Sequence, residues 1–229
     1  MQQEAEIMKS AEQLQSVDFT GESIISSMDR NSKTMHINSD YYSRNRCYKS
    51  YQCKEEISDS FSRIIWNLYK KFPEVNSIAI VRPLYTMLWA SIGQSIPPMN
   101  AYHAEHFSGE IVCTEEDPEP FADFAKHQTK RLIRAIGNKK VLDNPAVLLR
   151  DFGAVVFGRD CAEVVKNVTI LERIAQAAWH ISMSMTSLTY MNYSKLMAFH
   201  CLYNGEENPL NSDYHAFIQE KHEQNKAEI

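Results

Sequence analysis

The sequence predicts a mixed α/β or α+β fold in which a sheet is covered by helices, and three observations carry that expectation. Short β-branched runs alternate with amphipathic helical periods along the chain. The turns between them are too short for regular right-handed crossovers throughout. The two apolar runs flanking "RDFG" read as strands joined by a turn, an antiparallel arrangement. With 229 residues, 44% of them hydrophobic, and only seven glycines and eight prolines, the chain is expected to form one globular domain with a sizeable core.

Residues 55–72, "EEISDSFSRIIWNLYKKF", set Ile57, Phe61, Ile64, Ile65, Leu68 and Phe72 at a helical period that ends before Pro73. "VNSIAIV" (75–81) is a β-branched run that Pro83 stops. A helix over 84–91 closes on Gly93, and "GQSIPP" carries turn chemistry. "GEIVCT" (109–114) is a second strand candidate. "DPEPFADFAKHQTKRLIRAIGN" (117–138) reads as a helix with proline near its first turn and Gly137 just past its end. "PAVLLRDFGAVVFGRD" (145–160) supplies the strand pair, and the strongest helical period runs from Asp160 to about Met185. Its Val164, Val168, Leu171, Ala175 and Ala178 make one buried stripe. "HISMSMTSLTYMNYSKLMAFH" (180–200) reads either as ordinary helix packing or a subunit contact, or as a ligand-facing or partner-facing helix, since methionine adapts to irregular surfaces. From about residue 204 the chain turns polar, as a surface helix or a frayed tail would.

The formal charge of -5 comes without any Lys/Arg cluster beyond a residue or two, so no nucleic-acid or anionic-membrane footprint is present. The first fifteen residues have no apolar core of signal-peptide length, and no run of eighteen apolar residues occurs later, which predicts a cytoplasmic protein. The five cysteines, Cys47, Cys53, Cys113, Cys161 and Cys201, are odd in number and form no C-x-x-C, the pattern of reduced thiols rather than a disulfide framework or zinc ribbon.

"FPEVNSIAIV", "WASIGQSIP", "HAEHFSGEIVCT" and "PAVLLRDFGAVVFGRDCAEVVKNVTILERIAQ" resemble, in order and spacing, segments of the class II aldolase/adducin family, most closely its L-ribulose-5-phosphate 4-epimerase branch. The resemblance runs from about Phe61 to His180, with a weaker stretch from Gly21 to Ser43. It implies a three-layer fold, a mainly antiparallel central sheet flanked by helices, and a homotetramer with active sites between subunits. It also implies retro-aldol chemistry on a phosphorylated ketose. In active members a divalent metal, usually zinc, is held by three histidines and stabilises the developing enediolate.

On this sequence the two histidines of the family's H-x-H fall on Ile80 and Arg82, and that of its H-G turn falls on Phe152. The acidic group that precedes the first helix falls on or beside Phe61. Isoleucine and phenylalanine have no lone pair to give, and arginine is permanently cationic, so the expected metal and cofactor assignment is none. The phosphate-handling pairs fall on Gly21-Glu22 and Ser39-Asp40, where carboxylates would oppose a phosphate dianion. The acid/base Asp of the epimerases, in His-Ala-Asp, maps onto Glu105 of "HAEHF", with His103 matching the family's histidine. The tyrosine supplied from a neighbouring subunit corresponds by position to Tyr203.

Two readings of "HAEH" stand side by side: a relocated metal or acid/base site through His103 and His106, or a solvated loop. Arg82 either binds a small anion or pairs with an acidic neighbour such as Glu105 or Asp151. Phe152 and Gly153 are expected to fill the space that the metal and its water would leave. The leading expectation is therefore a degenerate, catalytically inactive member kept as a binding or assembly module, homo-oligomeric or mixed with an active paralogue. Two alternatives stay open. One is a metal-independent enzyme, or an epimerase or aldolase of altered mechanism, acting on a sugar phosphate or small anionic substrate through Arg82, His103 and Glu105. The other is a metal held by His103, His106 and a carboxylate of another subunit.

Overall fold

The most apolar short run of the chain lies at the centre of its sheet. In the computed structural model, which describes residues 2–18, 20, 22–38, 48–52, 57–116, 123–184 and 190–206, "SIAIV" forms the fully buried strand β4 (Ser77–Val81). Upstream come helix α1 (Gln2–Gln15), strands β1 (Ile24–Asp29), β2 (Thr34–Ile37) and β3 (Lys49–Gln52), and helix α2 (Ser60–Lys71). Downstream come α3 (Leu84–Ser91), α4 (Ala101–His106), α5 (Phe124–Ile136), β5 (Ala146–Leu149), β6 (Gly153–Gly158), α6 (Cys161–Ser184) and α7 (Tyr193–Asn204). The strand order is β3-β2-β1-β4-β6-β5, and every adjacent pair is antiparallel.

Side chains alternate across the strands, so the sheet divides the core into two layers. Ile78 and Ile80 of β4, Val147 and Leu149 of β5, and Val155 and Phe157 of β6 join the cluster with α2 and α5. Ala79, Val81, Ala146, Leu148, Ala154 and Val156 join the opposite cluster with α1, α3 and α6. The second face is rich in alanine, which lets α6 approach closely. Val164, Val168, Leu171, Ala175 and Ala178 of α6 all lie in that layer, as the helical stripe predicted. Helices on both faces of an antiparallel sheet give the expected three layers.

The local chemistry fixes the boundaries. Asp59 caps α2 by accepting the Ser62 amide at 2.7 Å, so the helix begins at Ser60, three residues after Ile57, where the apolar period starts. The β5–β6 turn places Asp151 at φ 64° and Gly153 at φ 155°. A Cβ at Gly153 would run into the Val81 carbonyl oxygen, so this close approach of β6 to β4 requires glycine.

Several expectations are corrected. "GEIVCT" is not a strand: it makes only isolated bridges, Ile111 with Ile96 and Cys113 with Leu148. "HAEH" is not a solvated loop but part of α4, and His103 is only 1% exposed. Of the stretch 180–200, residues 180–184 end α6 and 193–200 belong to α7, which packs on α4 in ordinary helix packing, while 185–189 lie outside the described residues. Helix α1 and strands β1 to β3 carry too little apolar periodicity to be read from sequence, yet the three strands make up half the sheet. Cys47, Cys53, Gly21, Ser39 and Asp40 lie outside the described residues. Cys113, Cys161 and Cys201 are free, and burial pushes the first two thiols up to about 11. Among the described residues, no helix is long and apolar enough to cross a membrane.

Candidate functional site

Strand β4 directs Ile80 into the layer under α2, while Arg82 leaves the strand end just before Pro83 starts the approach to α3. The turn from β5 to β6 carries Phe152 to the same place, and α2 brings Phe61. The Phe61 and Phe152 ring centroids are 5.3 Å apart, tilted by 35°. The Arg82 guanidinium carbon lies 5.2 Å from the Phe152 centroid, a cation–π distance. Tertiary structure thus gathers Phe61, Ile80, Arg82 and Phe152, four residues spread over ninety positions of sequence, into one contiguous patch.

The charge at this patch is neutralised locally. Arg82 forms an ion pair with Glu22, not with Glu105 or Asp151 as the sequence suggested. Asp151 instead lies 3.7 Å from Arg150. The reason is topological: β1 pairs with β4 with Ile24 opposite Ile80, so the same register carried two residues on sets Glu22 beside Arg82. Asp18 reinforces this corner. Its carboxylate accepts from the Thr20 amide at 3.0 Å, from the Thr20 hydroxyl at 3.0 Å and from the Ser23 hydroxyl, with the Arg82 amide at 3.4 Å.

Neither isoleucine nor phenylalanine donates to a cation, and a guanidinium repels one, so the donor set at this patch does not fit a divalent metal. Among the described residues, no group of three or more His, Cys, Asp or Glu side chains comes together in a way that could hold one.

The "HAEH" residues form a separate neighbourhood. Asn100 caps α4 by accepting the His103 amide at 2.9 Å. His103 Nε2 donates to the Gly109 carbonyl at 2.8 Å, its Nδ1 is buried without a hydrogen-bond partner, and burial pulls its pKa down to about 4. A buried neutral imidazole locking a loop is what these contacts describe. His106 turns elsewhere, making edge contacts with Tyr102 at 4.9 Å and with Tyr203 of α7 at 4.8 Å. Its pKa is lowered, first by burial and then by Lys166, with Glu105 opposing. Glu105 is half-buried, and its backbone carbonyl accepts from Asn204 at 3.4 Å. His200 Nδ1 donates to the Ala104 carbonyl at 2.9 Å, which ties α7 to α4. The contacts of Arg82 and those of His103 and Glu105 share no residue among those named here.

Glu172 was not legible in sequence. Pro83 stands at the start of α3 and provides no side-chain cap, leaving the first amides of the helix to find an acceptor. Glu172 of α6 supplies it, accepting from the Tyr85 amide at 2.8 Å, the Thr86 amide at 2.9 Å and the Thr86 hydroxyl at 2.8 Å. Burial raises its pKa against these hydrogen bonds. The helical stripe placed Glu172 next to Leu171 but carried no signal that it would face α3.

A family model for the class II aldolase and adducin N-terminal domain matches residues 9–179. Among solved structures, an L-fuculose 1-phosphate aldolase is similar at 14% identity with a TM-score of 0.71, covering 89% of this chain and 96% of its own. An aldolase II superfamily protein from Pseudomonas syringae is 11% identical with a TM-score of 0.64, covering 95% of this chain and 91% of its own. The L-fuculose 1-phosphate aldolase from Glaciozyma antarctica is 11% identical with a TM-score of 0.63, covering 90% and 82% respectively. At these identities the structural likeness speaks for the fold alone.

Proposed function

The chain belongs to the class II aldolase and adducin family, and from that premise we propose that it is a degenerate member, related to the L-ribulose-5-phosphate 4-epimerases, that has lost the metal centre and serves as a binding or assembly module. One observation carries the reading. Phe61, Ile80, Arg82 and Phe152, which the resemblance aligns with a carboxylate and three imidazoles, meet in a single patch. Residues that meet in space at the aligned positions support the alignment, and their chemistry is that of a filled, neutralised site. Two aromatic rings and an isoleucine occupy the volume, and Glu22 offsets the charge of Arg82.

This geometry favours the inactive reading over a metal-independent enzyme working through Arg82, His103 and Glu105. Such an enzyme needs Arg82 open to a substrate anion, whereas its guanidinium lies over Phe152 and is engaged by Glu22. It also needs a polarised carbonyl, and among the described residues no group of side chains there could hold a metal ion to polarise one. As part of the same proposal, the protein acts in the cytoplasm as a homo-oligomer or in a mixed assembly with an active paralogue.

The test is elemental analysis of the purified protein together with turnover assays on L-ribulose 5-phosphate and L-fuculose 1-phosphate. The reading expects neither stoichiometric zinc nor turnover. Tightly bound zinc with turnover of either sugar phosphate overturns it.

A further inference from the structure

A cavity of about 740 Å³, lined by residues of α3, of the segment after it and of α7, shares no residue with the Arg82 patch. We infer that this cavity is a binding site for a small zwitterion with a bulky apolar body, of the size of a di- or tripeptide.

The wall is apolar. Trp89, Pro97, Leu196 and Met197 line it, and the Trp89 indole N–H is already spent on the Ala175 carbonyl at 3.0 Å, so the ring offers carbon surface alone. Tyr190 and Tyr193 also line it and are 58% and 65% exposed, large aromatic rings left in water at its mouth. Burying such rings against an apolar ligand is favourable in proportion to the apolar area removed from water.

The frame is pre-formed. Ile96 and Ile111 exchange backbone hydrogen bonds of 2.9 and 3.0 Å. The Ser108 amide is held by the Asp143 carbonyl at 2.9 Å, and Asn144 holds the Glu110 carbonyl at 2.8 Å. The segment that leads into α7 is tied across by the Met191 amide to the Pro98 carbonyl at 2.8 Å. A cleft that does not have to be ordered on binding avoids much of the entropic cost of association.

The charges give the ligand its class. Lys139, Lys140, Glu110 and Asp143 all line this cavity, and none of the four side chains is in an ion pair among the described residues. Two cations and two carboxylates around one apolar cleft oppose a simple anion as much as they attract it, and likewise a simple cation. A molecule carrying both charges satisfies both pairs. A single amino acid underfills 740 Å³, whereas ligand cavities of about 300–1,000 Å³ take larger molecules.

Isothermal titration of the full chain with the dipeptide phenylalanyl-phenylalanine, its N-acetyl form and its C-terminal amide tests this. The free dipeptide is expected to bind one equivalent. Removing either terminal charge weakens it about three- to fivefold, the scale of partly exposed ion pairs. Met197→Trp, which fills the cleft from a half-buried position, abolishes binding of all three. The double variant Lys139→Gln, Lys140→Gln changes only exposed side chains, so its fold is secure. It should bring the free dipeptide down to the affinity of the amide and leave the amide unchanged. No saturable binding at millimolar dipeptide, equal affinity for the three forms, or a lysine variant that binds as the unmodified protein does overturns the inference. Each of these results leaves the loss of the metal centre untouched, because the two sites share no residue.

Discussion

The Arg82–Glu22 pair decides whether the patch at the end of β4 is a closed structural feature or a vacant anion site, and Glu22→Gln isolates it. The variant keeps the size and hydrogen-bonding reach of the side chain and removes its charge. The Arg82 side chain is 18% exposed and that of Glu22 52%, so one partner is largely withdrawn from water and the other is not. Hydrogen bonds to charged groups contribute about 1.5–3 kcal/mol when shielded. Exposed pairs contribute about 0.2–1 kcal/mol. Discounting for the solvent around Glu22 places this pair near ~1 kcal/mol, and in a chain of this size that lowers the melting midpoint by about 2–4 °C. The control is Arg82→Met, which keeps an apolar stem over Phe152 and removes the cation. On that background Glu22→Gln is expected to be close to neutral, so a double-mutant cycle in urea returns a coupling of ~1 kcal/mol. Equal costs of Glu22→Gln on both backgrounds would mean that the two side chains do not interact, and would refute the account of the patch as internally neutralised.

Two further outcomes follow from buried titratable groups. Burial raises the Glu172 pKa, so its protonated form is favoured by folding; that contribution is present below the ordinary carboxylate value and is lost as pH rises through the folded one. Glu172→Gln, neutral at every pH and still an acceptor for the Tyr85 or Thr86 amide, should therefore gain on the native sequence in urea denaturation as pH rises above the ordinary carboxylate value, and a gain for the native sequence would contradict the assignment. His103 has the opposite sense. Its pKa is pulled from 6.5 down to about 4, so its contribution is present above 6.5 and lost as pH falls towards 4. At ~1.4 kcal/mol per unit the loss approaches ~3 kcal/mol at pH 4, and His103→Gln should flatten that limb, whereas parallel acid limbs for the two proteins would sink the claim.

The sequence by itself determined the elements whose apolar periodicity is unbroken. Strand β4, helices α2, α3, α5 and α6 and the β5–β6 pair are local in origin, because hydrophobic spacing, Pro83 and Gly137 speak within a few residues. Motif order also placed the chain in its family, since "WASIGQSIP" and the strand pair at 145–160 keep their spacing even though no imidazole remains at the aligned positions. Strands β1 to β3 were not legible: "IISSMD" and "KSYQ" mix polar residues into the buried face and become strands by pairing outward from β4.

Only tertiary structure decided the partners. That Arg82 meets Glu22 rather than Glu105 follows from the antiparallel β1–β4 register, a contact across sixty residues that no local pattern encodes. That Glu172 caps α3, that His103 is buried while His106 sits edge-on between two tyrosines, and that four charges surround one apolar cleft have the same origin. Residue type sets what each side chain can do, while the packing of distant elements sets which water, charge or ring it faces, and so whether it titrates, binds or merely fills space.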